Sequence, residues 1–238
     1  MSTLLSKLTG VAAVTAVSVL GCSPAATNAA QPESNVTSAT ATPSAHSAVA
    51  AVVTHEVSDY ARWKQVFDEH SGARQRAGIL GTHINRGADN PNVISVYLGA
   101  RDVGSLRGFL NNEDTKTTMA RAGVKGPPTV VLMTPVEDKP VRDRALPGAI
   151  IAHHVTSYDT WKKAFDDHAP VRAKAGIVGY AINRGLDDPN TVIVYLQSST
   201  LEEVRTFCAS QDLKDVMTKA GVDSAPRITF VQGADWGH

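Results

Sequence analysis

The sequence predicts an α+β fold made of two copies of a β-α-β-β-α-β unit. An internal repeat is the first observation, because residues 53–134 align without a gap with residues 151–232 and about two residues in five are identical. The second observation is that short apolar runs alternate with amphipathic segments in this order in both copies. The period of the repeat is too long for a solenoid unit, so each copy is predicted to be a small domain.

The first half of each copy is predicted to contain a strand, a helix and a second strand. The first strand covers residues 52–57 in one copy and 150–155 in the other. The helix is expected to end at Gly78 and at Gly176, because a helix C-terminus favours a residue that tolerates left-handed backbone. The second strand follows directly and covers residues 79–86 in the first copy.

The second half of each copy is predicted to contain a strand, a helix and a last strand. The third strand covers residues 93–98, and Thr200 begins a capping box at the start of the following helix in the second copy. This helix is expected to kink near residues 210–212, and the last strand covers residues 226–231. The predicted segments are a signal peptide at 1–21, a disordered tether at 22–48, a first repeat at 49–136, a connector at 137–147 and a second repeat at 148–238.

This element order is that of the ferredoxin-like unit, in which two right-handed crossovers place both helices on one face of the sheet. A single unit leaves the other face bare and has a marginal core. The order, together with the pattern Tyr-x-x-Trp-Lys-x-x-Phe-Asp-x-His at 60–70 and 158–168, resembles the dimeric α/β-barrel superfamily of antibiotic biosynthesis monooxygenase-like and cyclase-like proteins. The resemblance implies that the two repeats pair within one chain as an intrachain dimeric α/β-barrel, so that the protein is a monomer.

The N-terminus resembles a bacterial lipoprotein signal. Lys7 is the only charged side chain in residues 1–21, and the apolar stretch 8–20 is too short to span a membrane. The segment ends in Val-Leu-Gly-Cys22, which is similar to a lipobox. The resemblance implies cleavage before Cys22, acylation of that residue and an extracytoplasmic protein whose partner is membrane lipid. Ser23 in place of Asp implies the outer membrane in a Gram-negative host. The alternative is an ordinary secretory signal with an unrelated cysteine.

Composition limits the remaining classes of function. Residues 23–48 consist almost entirely of Ala, Ser, Thr, Pro and Asn, which is typical of a flexible tether. The formal net charge is zero, so the chain lacks the basic surface that nucleic-acid binding requires and no nucleic-acid partner is expected. Apart from Cys22 the chain has only Cys208, so no disulfide framework is possible, and Cys208 is predicted to pack as a small hydrophobic side chain.

A stripe of side chains on the first helix is the main candidate for a site. Trp63, Phe67, His70 and Arg74 fall on one helical face, which begins apolar and should face the sheet. Inward-facing polar groups need partners or a water-filled pocket, and ligands of the superfamily often bind between helices and sheet. Alternatively, Arg74 reaches solvent at the rim of the domain, or His70 bonds a backbone carbonyl. The second copy repeats the stripe with Trp161, Phe165, His168 and Arg172.

Several other polar residues recur in both copies. His55 lies on an apolar strand face, where a histidine is more often structural than catalytic, and Tyr97 alternates with apolar neighbours so as to face the presumed barrel interior. His153 and His154 are adjacent in a strand and cannot chelate a metal together. No pattern indicates a metal or a cofactor, and no axial ligand stands out for the haem that some superfamily members bind. The candidate pocket residues are Trp63, His70, Arg74, Tyr97, His55, Trp161, His168, Arg172, Tyr195 and His153.

Three hypotheses about function follow from these residues. The first is a membrane-anchored lipoprotein that binds a small apolar or aromatic ligand in its barrel domain. The second is a cofactor-independent monooxygenase or cyclase-like enzyme, in which His70 or His168 is the general base and the neighbouring arginine binds an anion. The third is a ligand-free scaffold that contacts partners in the envelope. The shape of the interior discriminates among them, because convergent His and Arg in a cavity favour the enzyme.

Cys22→Ala is expected to move the protein from the membrane fraction to the soluble extracytoplasmic fraction, because acyl chains on Cys22 would be the only anchor. Fractionation and uptake of labelled fatty acid measure this directly. Cys208→Ala is the matched control and should leave anchoring unchanged. A Cys22→Ala protein that stays in the membrane fraction would contradict the lipobox.

Overall fold

The structure is a computed structural model that describes residues 49–233 and 235–237. The expected signal peptide and tether, including Cys22, lie outside the described residues. Within the described ranges, no helix has the length and apolar character needed to cross a membrane.

The predicted strands are present in both repeats, and the alternation of their side chains separates two environments. In β1, for example, Val53 and Val57 are buried against the helices, whereas Val52 faces the opposite side of the sheet. The strands are β1 Val49–Val57, β2 Ile79–Arg86, β3 Val93–Ala100, β4 Val124–Lys139, β5 Gly148–His154, β6 Ile177–Gly185, β7 Thr191–Ser198, β8 Arg227–Val231 and β9 Asp235–Gly237.

Each predicted helix is divided into two shorter helices. The kink expected near residues 210–212 is confirmed, because one helix ends at Ala209 and the hydroxyl of Ser210 caps the next. The capping box of Thr200 and Glu203 is also confirmed. The helices are α1 Tyr60–Glu69, α2 Ser71–Arg76, α3 Val103–Asn111, α4 Glu113–Arg121, α5 Tyr158–Asp167, α6 Ala169–Lys174, α7 Leu201–Ala209 and α8 Gln211–Lys219.

The break between α1 and α2 at His70 was not expected from the side-chain pattern. His70 has φ −82° and ψ 5°, which interrupts regular helix for one residue. The amide of Arg74 nevertheless donates to the carbonyl of His70 across 3.2 Å. The chain therefore keeps its helical direction, and the two side chains stay on the face that points towards the sheet.

The two repeats have the same ferredoxin-like sheet and join into one barrel. The strand order is β8-β5-β7-β6-β4-β1-β3-β2-β9, so each repeat contributes four antiparallel strands and β4 pairs with β6 across the boundary. The opposite boundary is closed in the same manner, because Gly87 at the end of β2 bridges Val231 and β9 pairs with β2. The result is an α+β barrel of two ferredoxin-like repeats, with the helices outside, as the sequence predicts.

The connector between the repeats is shorter than the predicted segment 137–147. Strand β4 continues to Lys139, because Glu137, Asp138 and Lys139 pair with residues of β6. The side chain of Glu137 is 19% exposed, whereas those of Asp138 and Lys139 are 47% and 60% exposed. The end of β4 is therefore part of the junction between repeats.

Buried apolar side chains form three clusters, one under the helices of each repeat and one inside the barrel. Trp63 and Trp161 are 3% and 4% exposed at the centres of the two helix–sheet clusters. The interior cluster contains Ala50, Met133 and Ile193 and is shared by both repeats. Burial of the inner sheet faces thus depends on the presence of both repeats.

The separated repeats, residues 49–139 and 148–238, are expected to be unstable alone and to associate when mixed. Each fragment alone would expose its inner sheet face and an unpaired edge strand. Light scattering on a sizing column and thermal unfolding of each fragment test this expectation.

Met133→Lys should abolish the association of the fragments, because Met133 is fully buried in the cluster that both repeats share. Val136→Lys, at a residue that is 43% exposed, is the control. Two stable monomeric fragments would contradict the barrel.

Candidate functional site

The candidate residues are distributed over three cavities rather than gathered in one. Trp63, His70, Arg74 and His55 line a cavity of about 70 Å³ between the helices and the sheet of the first repeat. Their counterparts Trp161, His168, Arg172 and His153 line an equivalent cavity of about 50 Å³ in the second repeat. Tyr97 and Tyr195 line a cavity of about 90 Å³ in the barrel interior.

Arg74 is a buried cation that has no counter-ion among the residues that the structure describes. Its side chain is 7% exposed, its guanidinium carbon lies 3.7 Å from the centre of the Phe67 ring, and it donates to the Phe67 carbonyl. Within the described part of the chain it forms no ion pair. Burial lowers the pKa of Arg74 to about 10, against a smaller opposite effect of Asp68. The guanidinium of Arg74 neither reaches solvent at the rim of the domain nor pairs with a described carboxylate. An anion bound in the cavity would therefore be favoured.

His70 forms a pair with an acidic side chain that the sequence analysis did not identify. Its Nε2 lies 2.8 Å from a carboxylate oxygen of Asp114, which begins α4. Donation from Nε2 to the carboxylate leaves the lone pair of the neutral ring on Nδ1. Nδ1 has no hydrogen-bond partner among the described residues. The expected alternative, a bond to a backbone carbonyl, is therefore not what holds this histidine.

His55 is a neutral, unpartnered histidine in the wall of the same cavity. Neither ring nitrogen has a hydrogen bond within the described residues, and the side chain is 7% exposed. Its ring centre lies 5.6 Å from that of Trp63. Burial lowers the pKa of His55 to about 4, so the ring stays uncharged near neutral pH. Both nitrogens can therefore hydrogen-bond a ligand without adding charge to the cavity.

The second repeat reproduces this arrangement. Nε2 of His168 lies 2.7 Å from a carboxylate oxygen of Asp212, and Arg172 stacks on Phe165 and donates to its carbonyl. His153 likewise has no partner for either ring nitrogen within the described ranges, and burial lowers its pKa to about 4. The geometry of cation, base and aromatic wall is thus the same in both cavities.

The two cavities differ in polarity at one wall. Thr115 and Thr118 line the first cavity, and the hydroxyl of Thr115 is buried without a partner among the described residues. The second cavity has Leu213 and Val216 at the corresponding positions. The first repeat therefore offers an additional hydrogen-bonding group to a ligand.

Other recurring polar residues have structural roles. Arg86 donates to the carbonyl of Pro91 and stacks on Tyr60, so it stabilises the turn between β2 and β3. The thiol of Cys208 is buried in α7, and burial raises its pKa to about 11, as expected for a small hydrophobic residue. His154 lies on the exposed face and bonds Asp223, opposite to His153. In the described ranges, no group of three or more His, Cys, Asp or Glu could hold a metal ion.

Comparison with solved structures places the fold. A candidate monooxygenase from Lactobacillus acidophilus NCFM matches with a TM-score of 0.54 and 9% identity, over 79% of this chain and 95% of that chain. A candidate monooxygenase from Fusobacterium nucleatum matches with a TM-score of 0.54 and 10% identity, over 82% and 95%. The fold is that of the dimeric α/β-barrels. An anthrone oxidase-like protein matches with a TM-score of 0.55 and 12% identity, over 79% and 92%.

These structural similarities are too distant in sequence to show more than the fold. No family model matches the chain, and no curated protein matches it. A shared fold does not imply a shared activity, because activity depends on the residues of the site.

Asp114 and Asp212 are the partners of the two histidines that the sequence analysis missed. A signal was present, because both belong to the pattern Asp-x-Lys-x-x-Met, which recurs at the same place in each repeat. The two carboxylates lie far from the histidines along the chain and become neighbours only when α4 packs beside α1. Recurrence alone did not show which histidine they would meet.

Stability is expected to fall with decreasing pH between about 6.5 and 4 because of His55 and His153. Their folded-state pKa values lie below the ordinary value, so the unfolded state binds more protons in this interval. Each histidine should lower the free energy of unfolding by up to about 1.4 kcal/mol for each unit that the pH falls in this interval. Urea unfolding of His55→Leu with His153→Leu should show a weaker pH dependence than the wild type.

His154→Gln is the matched control for this pH effect. Hydrogen bonding to Asp223 raises the pKa of the exposed His154, so its contribution is present at low pH and is lost as pH rises through that pKa. An unchanged pH profile in the His55 and His153 variant would contradict the burial of neutral rings.

Proposed function

We propose that the barrel domain is an enzyme that binds a small aromatic substrate with an acidic group and removes a proton from it. The observation that supports this most strongly is the convergence, in one cavity of each repeat, of a base, a cation and an aromatic wall. In the first repeat these are His70 with Asp114, Arg74, and Trp63 with Phe67. The substrate is an aromatic or phenolic compound whose C–H or O–H proton is acidic.

The buried arginine is suited to bind the anionic form of the substrate. A phenolate or enolate oxygen near Arg74 would supply the counter-charge that the described part of the chain does not provide. Such charge-assisted hydrogen bonds contribute about 1.5–3 kcal/mol each. Since the charge forms only when the proton leaves, the arginine stabilises the product of proton removal more than the neutral substrate.

The histidine–aspartate pair supplies the base. Asp114 accepts from Nε2 of His70 and would stabilise the imidazolium that forms when Nδ1 takes a proton. For a substrate such as an anthrone, loss of a methylene proton yields a carbanion that can react with dioxygen. The overall change converts the methylene group and O₂ to a carbonyl group and water, so dioxygen is the oxidant.

The small size of the cavity means that substrate entry needs a movement of its wall. An engineered cavity of about 150 Å³ holds benzene, whereas the first helix–sheet cavity measures about 70 Å³. Leu110 and Met119 border this cavity and also a surface groove of about 600 Å³. Displacement of these two flexible side chains would join the cavity to the groove and admit a ring system.

The structural neighbours are consistent with this assignment. Two of these neighbouring proteins are described as candidate monooxygenases, and a third is described as anthrone oxidase-like. An anthrone is therefore a reasonable probe substrate for this chain.

Binding without turnover is the second candidate function. The observation that favours it is the exposure of Asp114, whose side chain is 73% exposed, because solvent weakens its effect on His70. In that case the cavities would hold a small aromatic ligand, and the protein would act as an anchored binding protein. Acylation at Cys22 and a place in the cell envelope are part of both proposals.

Asp114→Asn combined with Asp212→Asn is expected to lower the rate of oxygen uptake with dithranol, an anthrone, by at least about tenfold. Asn preserves the shape of the side chain but cannot stabilise an imidazolium by charge. An oxygen electrode measures the rate, and thermal unfolding should show a nearly unchanged melting temperature. Asp215→Asn, one turn from Asp212 on α8, is the control and should retain the wild-type rate.

The arginines separate the two candidate functions. Arg74→Met combined with Arg172→Met keeps the stacked chain but removes the charge, and should lower kcat more than it raises KM, because the arginine stabilises the anion that forms only when the proton leaves. Two results together would support binding without turnover. The wild-type protein would leave dithranol unoxidised, and native mass spectrometry would detect a bound compound in the wild type but not in the double arginine variant. Unchanged uptake in the Asn variant would overturn the assignment of the base.

A further inference from the structure

The barrel interior contains a cavity of about 90 Å³ that is separate from both helix–sheet cavities. It lies on the inner faces of the strands, where Val52, Ile150 and Ile193 provide apolar walls. Its mouth is formed by the end of β4 and the connector, including Glu137, Asp138 and Arg142. None of its lining residues belongs to the helix stripe.

On the β2 side of this interior, three side chains, Asn85, His83 and Tyr195, form a hydrogen-bonded cluster. The side-chain oxygen of Asn85 accepts from the hydroxyl of Tyr195 across 3.3 Å and lies 3.1 Å from Nε2 of His83. The rings of His83 and Tyr195 are in contact, with centres 5.8 Å apart. His83 and Asn85 are neighbours on the inner face of β2, so their side chains occupy the part of the cavity next to this strand.

The other half lacks this group, although the repeat brings the same kinds of residue to it. Asn183 and Tyr97 occupy the positions equivalent to Asn85 and Tyr195, but Ala181 stands where the first repeat has His83. Asn183 is 6% exposed, and its amide has no hydrogen bond within the described part of the chain. The hydroxyl of Tyr97 is likewise without a hydrogen bond there. The space left by the missing imidazole is therefore bordered by two unpartnered polar groups.

We propose that this interior cavity is a second binding site, which takes a small neutral carboxamide or lactam. The Asn183 amide offers one donor direction and one acceptor direction, which match the carbonyl and N–H of another amide. The Tyr97 hydroxyl adds a further donor to the ligand carbonyl. The apolar remainder of such a ligand fits against Val52, Ile150 and Ile193.

The surroundings disfavour an anionic ligand at this position. Two carboxylates and one guanidinium stand at the mouth, and Arg142 is paired with Asp138 across 2.6 Å. Burial raises the pKa of Tyr97 to about 12, which shows that charge is penalised at this depth. A neutral amide forms the same hydrogen bonds without this penalty.

The size of the cavity sets the size of the ligand. It is smaller than the cavity of about 150 Å³ that holds benzene. A head group of a few heavy atoms fits inside, and a longer tail would have to leave through the mouth beside Pro140 and Arg142. Propionamide is therefore a suitable probe, with propionate as the charged molecule of nearly the same shape.

The test is a titration of the purified full-length chain with propionamide and with propionate, followed by amide NMR shifts and by crystal soaking. Propionamide should shift residues of β6 and β7 and appear beside Asn183, while propionate should not. Asn183→Leu should weaken propionamide binding at least about tenfold and raise the melting temperature, because it removes a buried unpaired amide. Val178→Thr, an exposed position on the same strand, should change neither quantity.

A second variant guards against a simple packing effect. Ala181→His should restore the group found around Asn85 and should prevent propionamide binding while the folded spectrum is retained. Crystals that show only ordered waters between Asn183 and Tyr97 after soaking would overturn the proposal. Equal binding of propionamide by wild type and Asn183→Leu would also overturn it. Dithranol oxidation is an independent measurement of the proposed enzymatic function, because the residues assigned to it lie in the helix–sheet cavities on the other face of the sheet.

Discussion

Each repeat has one sheet face covered by its own helices and one face that only the other repeat can cover. This mutual burial of the inner faces is the interaction on which the architecture depends. Met133 and Ile193 come from different repeats and lie in one buried cluster. The pairing of β4 with β6, and of β9 with β2, removes the open edges that would otherwise invite association with other chains. Fusion of the repeats in one chain makes this association intramolecular.

A barrel closed in this way fixes the outer helix layers on a rigid sheet. The helix–sheet cavities therefore hold polar groups at defined distances although their walls are apolar. Arg74 and His55 both lose hydration on burial, and burial lowers the pKa of each. A fold maintains such groups at a cost in stability. Both groups recur in the second repeat as Arg172 and His153, each of which is 5% exposed.

The two repeats are similar in fold but not interchangeable in chemistry. Helix–sheet cavities keep the same His–Asp pair, cation and aromatic wall, and differ mainly where Thr115 is replaced by Leu213. The barrel interior differs more, since Ala181 replaces His83 and leaves Asn183 without the partners that Asn85 has. A homodimer cannot carry such differences, because both subunits have one sequence. A fused pair can assign separate roles to related surfaces.

The sequence by itself determined the element order, the repeat, the inward face of the first helix and the pairing of the repeats. The elements and the inward helix face follow from local hydrophobic periodicity, which short segments contain. The pairing of the repeats follows from the sheet face that a single repeat leaves bare. Only the tertiary structure decided which polar residues meet. The break at His70, the approach of Asp114 and the extension of β4 to Lys139 all depend on contacts between distant segments. Pattern along the chain specifies which face a side chain occupies, but its partner is set by how the elements pack.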